Sequence, residues 1–433
     1  MKRVILLFVV VAAYLGIYAQ TAREEIFANK YLAASNYLDY NRQFSQEALT
    51  PAPKGYEPFY LSHYGRHGSR WLVGNEEYTN PLEILRDAYK HGKLTDLGIQ
   101  TLNKLEDFYP CTIDRVGDLT TVGERQHHGI GKRMTENFPE IFKSKNVRID
   151  ARSTIVPRCI LSMVAECEEF SAANSTARIH NDVSESLQYY MNQPWDGVVK
   201  NSGGRSSEIL NEYRIKYTHP DRLMKTLFSD QEWVYNNVRA GSLMNQLFNV
   251  ATNMQSHDTD IEFLSLFTED ELYDQWRIQN IGWYLGYANA PQTNNVMTYS
   301  QRNLLRNIIE TADTVTQTQA TLRFGHEVCV LPLACLLELN NCNASVDNLD
   351  ELEKYWQNYK IYPMACNIQL VFYKPKKGKS GDILVKALLN EREAKMPVET
   401  DNYPYYKWTD LRTYYLEKLR KFDESFSKKC SCK

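Results

Sequence analysis

The sequence predicts an α/β protein: an open mixed sheet flanked by helices, assembled from both ends of the chain, with a mostly α-helical domain inserted between them. Two observations carry this. Strand-like apolar runs alternate with helical spacing near both ends, whereas residues from about 160 to 295 are polar and helical, with scattered Tyr and Trp. The chain has 433 residues, 43% of them hydrophobic, enough to build a sizeable core. The expected divisions are residues 1–19, a leader; 20–158, the first part of the α/β domain; 159–295, the helical insert; and 296–433, the second part of the α/β domain.

The leader MKRVILLFVVVAAYLGIYAQ has a basic start, Lys2-Arg3, an apolar stretch from Val4 to Ile17, and small Ala19 before polar Gln20. It reads as a secretory signal peptide cut after Ala19, so the mature chain is expected in a periplasm or outside the cell. The apolar stretch is short for a membrane span, and no stable membrane insertion is expected after cleavage. PAPKGYEP (51–58) is a loop by its Pro and Gly content, and Phe59 to Ser62 reads as a short buried strand. Leu82, Leu85 and Ala88/Tyr89 share a helical face that Gly92 ends. Two similar helix starts follow, GKLTDLGIQ (92–100) and GDLTTVGERQ (117–126), with Thr95 capping the first and Thr120 or Thr121 the second.

Beyond the insert, Leu304, Leu305, Ile308, Ile309, Ala312 and Val315 mark an amphipathic helix. ATLRFG (320–325) then reads as a strand, and VCVLPLACLLEL (328–339) as a buried helix. Asn367–Tyr373 and Asp382–Leu388 read as paired strands joined by KPKKGKSG.

A formal charge of −3, becoming −5 once Lys2 and Arg3 are removed, provides no basic field for nucleic acid or an anionic membrane surface. Any affinity for anions must be local. Export permits disulfides, but nine cysteines leave at least one thiol unpaired within the chain.

One stretch concentrates the chemistry: LSHYGRHGSRWL (61–72) follows the first strand with two histidines, two arginines and two glycines. Ligands of open α/β sheets sit beyond strand carboxyl ends. Guanidinium groups either side of an imidazole suit a tetrahedral oxyanion, and Gly68 lets backbone approach it. Neutral imidazole can attack phosphorus while the arginines neutralise the equatorial oxygens. On composition alone, a structural loop pairing its arginines with carboxylates fits as well.

Arg66-His67-Gly68-x-Arg70 after an apolar strand resembles the signature of the histidine phosphatase superfamily, in the branch of acid phosphatases, phytases and multiple inositol-polyphosphate phosphatases. GDLTTVGERQHHGIGKRM (117–134) and RSTIVPRCILSM (152–163) resemble two further segments of that branch. LVFYKP and GDILVKALLNERE (381–393) resemble its inositol-polyphosphate members. The likeness spans about residues 37 to 400. It implies a two-step hydrolysis in which His67 forms a phosphohistidine and Arg66, Arg70 and Arg158 hold the phosphate; Arg152 is a weaker match and can be structural.

For the second half of the site the chain offers His257-Asp258 and His326-Glu327. The first lies in the polar insert with no strand before it, and is expected in a solvated loop. The second follows a strand and opens an apolar helix whose N-terminal amides favour an anion. His326 is therefore expected to bind phosphate and Glu327 to protonate the leaving group. The adjacency is unusual: phytases of this branch have His-Asp and the inositol-polyphosphate members His-Ala-Glu. Glu327 matches neither pattern. His63 is expected to be structural or to orient the loop, and His127-His128 to serve packing or surface roles, since helix neighbours point about 100° apart.

The expectation is an exported, monomeric phosphomonoesterase acting on inositol hexakisphosphate and lower inositol phosphates, with no cofactor and no metal. Additional cations for so anionic a substrate are expected from Pro51–Lys54 and the insert. The alternatives are a broad-specificity acid or sugar phosphatase, and a polyphosphate-binding protein that has lost catalysis through its altered acid.

Overall fold

The computed structural model describes residues 21–43, 47–193 and 205–431. The leader and its cleavage site lie outside the described residues. A mixed sheet runs in the order β3-β2-β4-β1-β5-β6-β7, with the short β8 on β6. The strands are β1 (Tyr56–Arg66), β2 (Arg148–Ser153), β3 (Arg178–Val183), β4 (Ala320–Gly325), β5 (Asn367–Pro375), β6 (Leu384–Leu389), β7 (Arg392–Ala394) and β8 (Tyr406–Lys407). β3, β2, β4 and β1 are parallel to one another, and β5, β6 and β7 continue antiparallel. The central strands have no solvent-exposed face. β4 is buried along its whole length although ATLRFG alternates in polarity: Arg323 is buried too, donating to Ser62 Oγ at 2.9 Å and Asn307 Oδ1 at 3.0 Å.

Helices cover both faces. On one, Leu61, Ile149, Leu322 and Phe324 pack under the helices Thr121–Asn137 and Pro157–Ala173. On the other, Tyr60, Tyr64, Leu370 and Phe372 meet the helices Arg302–Thr314, Glu327–Leu336 and Trp408–Ser431. The amphipathic reading of 304–315 holds: Leu304, Leu305, Ile308 and Ile309 are the buried residues of the helix Arg302–Thr314. Among the described residues, no helix is long and apolar enough to cross a membrane, and VCVLPLACLLEL is spent on this core.

The capping threonines are as expected. Thr95 accepts from Gly98 N–H at 3.1 Å and Thr120 from Gly123 N–H at 3.2 Å, so Thr120, not Thr121, caps the second helix. A cap of this kind stabilises by about 1 kcal/mol.

The helical layer differs from the sequence reading in two ways. First, the sheet extends into the span 159–295: the helix Pro157–Ala173 and strand β3 pack on it, and β3 pairs in parallel with β2. β3 is an edge strand, RIHNDV, with no buried position, and so carries no apolar signal. Second, a separate helical core combines helices of the β1-to-β2 connection with helices of the β3-to-β4 connection. The helices Glu76–Lys90 and Asp96–Phe108 pack there with Asp221–Leu227, Ala240–Asn253 and Glu269–Tyr287 through Leu82, Leu85, Leu102, Leu223, Leu247 and Trp276. The seven cysteines whose side chains are described carry free thiols, six of them buried.

Candidate active site

β1, β4 and β2 lie side by side, so their carboxyl ends open on one edge of the sheet. Arg66 faces Gly325 across β1 and β4, and Ser153 faces Phe324 across β2 and β4. The three segments leaving these strands therefore meet at one crevice: His67 after β1, Thr154 to Arg158 after β2, and His326-Glu327 after β4. The two helices that begin there, Pro157–Ala173 and Glu327–Leu336, present free N-terminal amides that favour negative charge.

The backbone of His67 is held by the sheet. Its N–H donates to the Gly325 carbonyl at 3.0 Å, and its carbonyl accepts from Ala365 at 3.1 Å. The ring Nδ1–H donates to the Gly68 carbonyl at 2.8 Å. A carbonyl can only accept, so the proton sits on Nδ1 and the lone pair on Nε2. Burial drives the pKa of His67 well below the ordinary imidazole value, and Arg66, Arg158, His326 and Arg70 push the same way. The ring is neutral, and its Nε2 lies 3.8 Å from Glu327 Oε2.

Three guanidinium groups surround this ring. Arg66 is fully buried: Nη1 donates to the carbonyls of Asn36 at 2.6 Å and Tyr362 at 3.2 Å, Nε lies 3.0 Å from Glu327 Oε2, and Nη2 has no partner. Arg70 donates through Nη1 to the Trp71 carbonyl at 2.9 Å and lies over the Tyr37 ring at 5.3 Å. Arg158, in the first turn of its helix, donates through Nη1 to the Gly117 carbonyl at 3.2 Å. The Nε of Arg70 and of Arg158 are buried without a partner. Buried, unpaired donors of this kind are costly unless an anion completes them.

His326 meets His67 edge to face, ring centroids 5.6 Å apart, and its Nε2 is 3.4 Å from Thr154 Oγ1. Burial lowers its pKa to about 4, with Arg158, Arg66 and Arg70 adding to the effect and Glu327 opposing it. Burial alone would raise Glu327, but Arg66, Arg70 and His326 outweigh it and hold the carboxyl at about 2. Glu327 is therefore held as a carboxylate against Arg66. His67, His326 and Glu327 also place ligand atoms within 4.8 Å of one another, a set that could hold a metal ion. A cation there would meet three guanidinium groups, whereas an anion would be drawn to them.

The structure thus brings together Arg66, His67, Arg70, Arg158, His326 and Glu327. It takes the other candidates elsewhere. Asp258 is exposed and pairs with Arg125 at 2.6 Å, but His257 is half-buried: its ring lies 4.1 Å from that of Trp71, tilted by 46°, and bonds Asn253 Oδ1 at 3.0 Å. His63 is buried on the opposite face of β1 from Arg66, against Phe324 at 5.2 Å, and its pKa falls to about 3 through burial, with His127 and Arg323 adding. His127 forms a buried pair with Glu166 at 2.7 Å and His128 a surface pair with Glu169 at 2.8 Å. Arg152 is structural, bound to Asp150 at 2.6 Å and Tyr190 at 2.9 Å. Lys54 precedes the amino end of β1, an 11-residue strand. At about 3.3 Å per residue it stands roughly 30 Å from His67, so the expectation that Pro51–Lys54 supplies cations to the site is overturned.

Sequence reasoning missed the supports. Tyr37, under Arg70, precedes any recognisable motif. Ser162, whose Oγ accepts from Gly68 N–H at 3.1 Å and donates to the Arg158 carbonyl at 2.8 Å, lay unread inside RSTIVPRCILSM.

A family model described as histidine phosphatase superfamily (branch 2) matches residues 65–390. No curated protein matches the chain. Among solved structures, the multiple inositol polyphosphate phosphatase of Bifidobacterium longum, in complex with inositol hexasulfate, superposes with a TM-score of 0.72 at 17% identity, covering 89% of this chain and 97% of its own. The phytase from D. castellii gives 0.68 at 15% identity, covering 90% and 85%. The Hafnia alvei phytase in complex with tartrate gives 0.52 at 10%, covering 84% and 98%. At these identities the likeness to solved structures is one of fold.

Proposed function

The chain belongs to the histidine phosphatase superfamily, branch 2, and from that premise we propose that it is an exported phosphomonoesterase hydrolysing inositol hexakisphosphate and lower inositol polyphosphates through a phosphohistidine. One observation carries the chemistry. His67 is a neutral, buried imidazole whose Nδ1–H is committed to a carbonyl, which leaves its Nε2 lone pair among the guanidinium groups of buried Arg66 and Arg70 and half-buried Arg158.

In the first step His67 Nε2 attacks phosphorus, the bond to the ester oxygen breaks, and that oxygen takes a proton from Glu327. Arg66, Arg70, Arg158 and His326 hold the equatorial oxygens, each well-aimed donor lowering the barrier by roughly 3–4 kcal/mol. In the second step water attacks the phosphohistidine, Glu327 takes the water's proton, the P–N bond breaks and phosphate leaves. Glu327 must hold a proton to begin, yet beside Arg66 and Arg70 its pKa is about 2. A phosphate group seated on Arg66 and Arg70 removes the charges that hold it there and adds negative charge nearby, so substrate binding itself raises Glu327 toward the working pH.

The inositol polyphosphate reading is supported by the inositol hexasulfate bound to the Bifidobacterium longum fold relative. Purified protein assayed on inositol hexakisphosphate, a sugar phosphate and an aryl phosphate tests it. A kcat/KM at least about tenfold higher on inositol hexakisphosphate than on the sugar phosphate is expected. Equal values on all three would make the protein a general acid phosphatase, and release unchanged in His67→Ala would remove the mechanism.

A further inference from the structure

Gln126, the last residue of GDLTTVGERQ, is buried on the helix Thr121–Asn137 and touches neither the arginines nor Glu327 through any hydrogen bond. Its Oε1 accepts from Ser69 N–H at 2.8 Å. Its Nε2 donates to Asp39 Oδ1 at 2.7 Å and to Ser69 Oγ at 3.0 Å. We propose that Gln126, anchored by Asp39, is the positioning residue that selects the nucleophilic tautomer of His67 through the Gly68–Ser69 peptide. The inference rests on the reading of His67 as nucleophile.

The linkage is a single peptide plane. The Ser69 N–H that Gln126 accepts and the Gly68 carbonyl that receives His67 Nδ1–H belong to the same planar unit and turn together. Fixing the N–H therefore fixes the carbonyl, and the carbonyl keeps the imidazole proton on Nδ1. With the proton on Nε2 instead, that atom could not attack phosphorus. Asp39 makes the hold directional, because turning the Gln126 amide over would set its oxygen against a carboxylate. The helix can come this close because glycines meet at the contact: a Cβ on Gly68 would stand 2.4 Å from the Gly123 carbonyl oxygen, and one on Gly123 2.3 Å from the Ser69 carbonyl oxygen.

The test reads the tautomer without turnover, in the full-length protein labelled with ¹⁵N-histidine, with the His67 nitrogen signals assigned by their loss in His67→Ala. The wild type should show a single form protonated on Nδ1. Gln126→Leu should show a mixture, with kcat down about tenfold to a hundredfold and KM changed by less than about threefold. The double substitution Gln126→Glu with Asp39→Asn exchanges donor and acceptor. It should restore the single tautomer and most of kcat, where Gln126→Glu alone does not.

A folded Gln126→Leu with the Nδ1-protonated signal unchanged overturns the proposal whatever its kcat, as does a double variant no better than the single one. If Gln126→Leu does not fold, Asp39→Ala takes its place, and an unchanged signal there is equally decisive. Failure of this test leaves the phosphohistidine reading standing. Conversely, a tautomer that responds in a protein forming no phosphohistidine would sink that reading alone.

Discussion

At the scale of the residue, the site is a set of tightly coupled charges. The three arginines, the neutral His67 and a Glu327 held ionised at about 2 form one electrostatic unit, and removing one partner changes the others. Glu327→Gln keeps the size and loses the proton. It should slow alkyl phosphates, whose leaving groups need protonation, by roughly a hundredfold or more, and aryl phosphates far less. Steady-state rates on the two classes check this, and equal losses would take the acid role from Glu327. The chemistry of this unit was legible in sequence because Arg66-His67-Gly68-x-Arg70 and His326-Glu327 are contiguous. Their mutual placement was not, since the 3.0 Å contact of Arg66 with Glu327 depends on the parallel pairing of strands more than 250 residues apart.

At the scale of the element, the parallel ends of β1, β4 and β2 do the assembling, and the helix Thr121–Asn137 braces the loop after β1. Gly123 is the contact that admits it. Gly123→Ala drives a methyl into the Ser69 carbonyl, and backbone cannot yield cheaply. A loss of about 1–3 kcal/mol in stability is expected, with kcat lower by about a hundredfold as the His67 loop shifts. Chemical denaturation and steady-state kinetics measure the two, and a variant with wild-type values for both would show that the close approach carries no function. Strands β1, β5 and β6 were readable from their apolar residues, and β4 from the alternation of Ala320, Leu322 and Phe324. β2 and β3 were not: RIDARS buries only small Ala151 and Ser153 beside Ile149, and RIHNDV buries no side chain and gains its place from pairing with β2. The helical layer was misdrawn for a related reason. Amphipathic spacing in 76–108 shows that a helix buries a face, not that the face meets helices more than a hundred residues further along the chain.

At the scale of the whole molecule, the fold stores neutral histidines. His63 at about 3, His257 and His326 at about 4, and His67 below the ordinary value all stay uncharged where the unfolded chain, near 6.5, takes up protons. The unfolded state then binds more protons, so the stability these groups contribute is present above about pH 6.5 and is lost as pH falls toward 4 and 3. The melting temperature should therefore fall steadily from pH 7 to pH 4, and a flat or rising profile would contradict these assignments. A phosphate-site ligand should recover part of the stability that acid removes. Everything proposed for the chemistry depends on turnover passing through His67. Rapid mixing with a ³²P-labelled phosphomonoester, quenching in alkali where phosphohistidine survives, and mass spectrometry of the digest read this out. Label is expected on His67 Nε2, appearing before free phosphate and absent from His67→Ala; full turnover with no label, or with label on another residue, would contradict it.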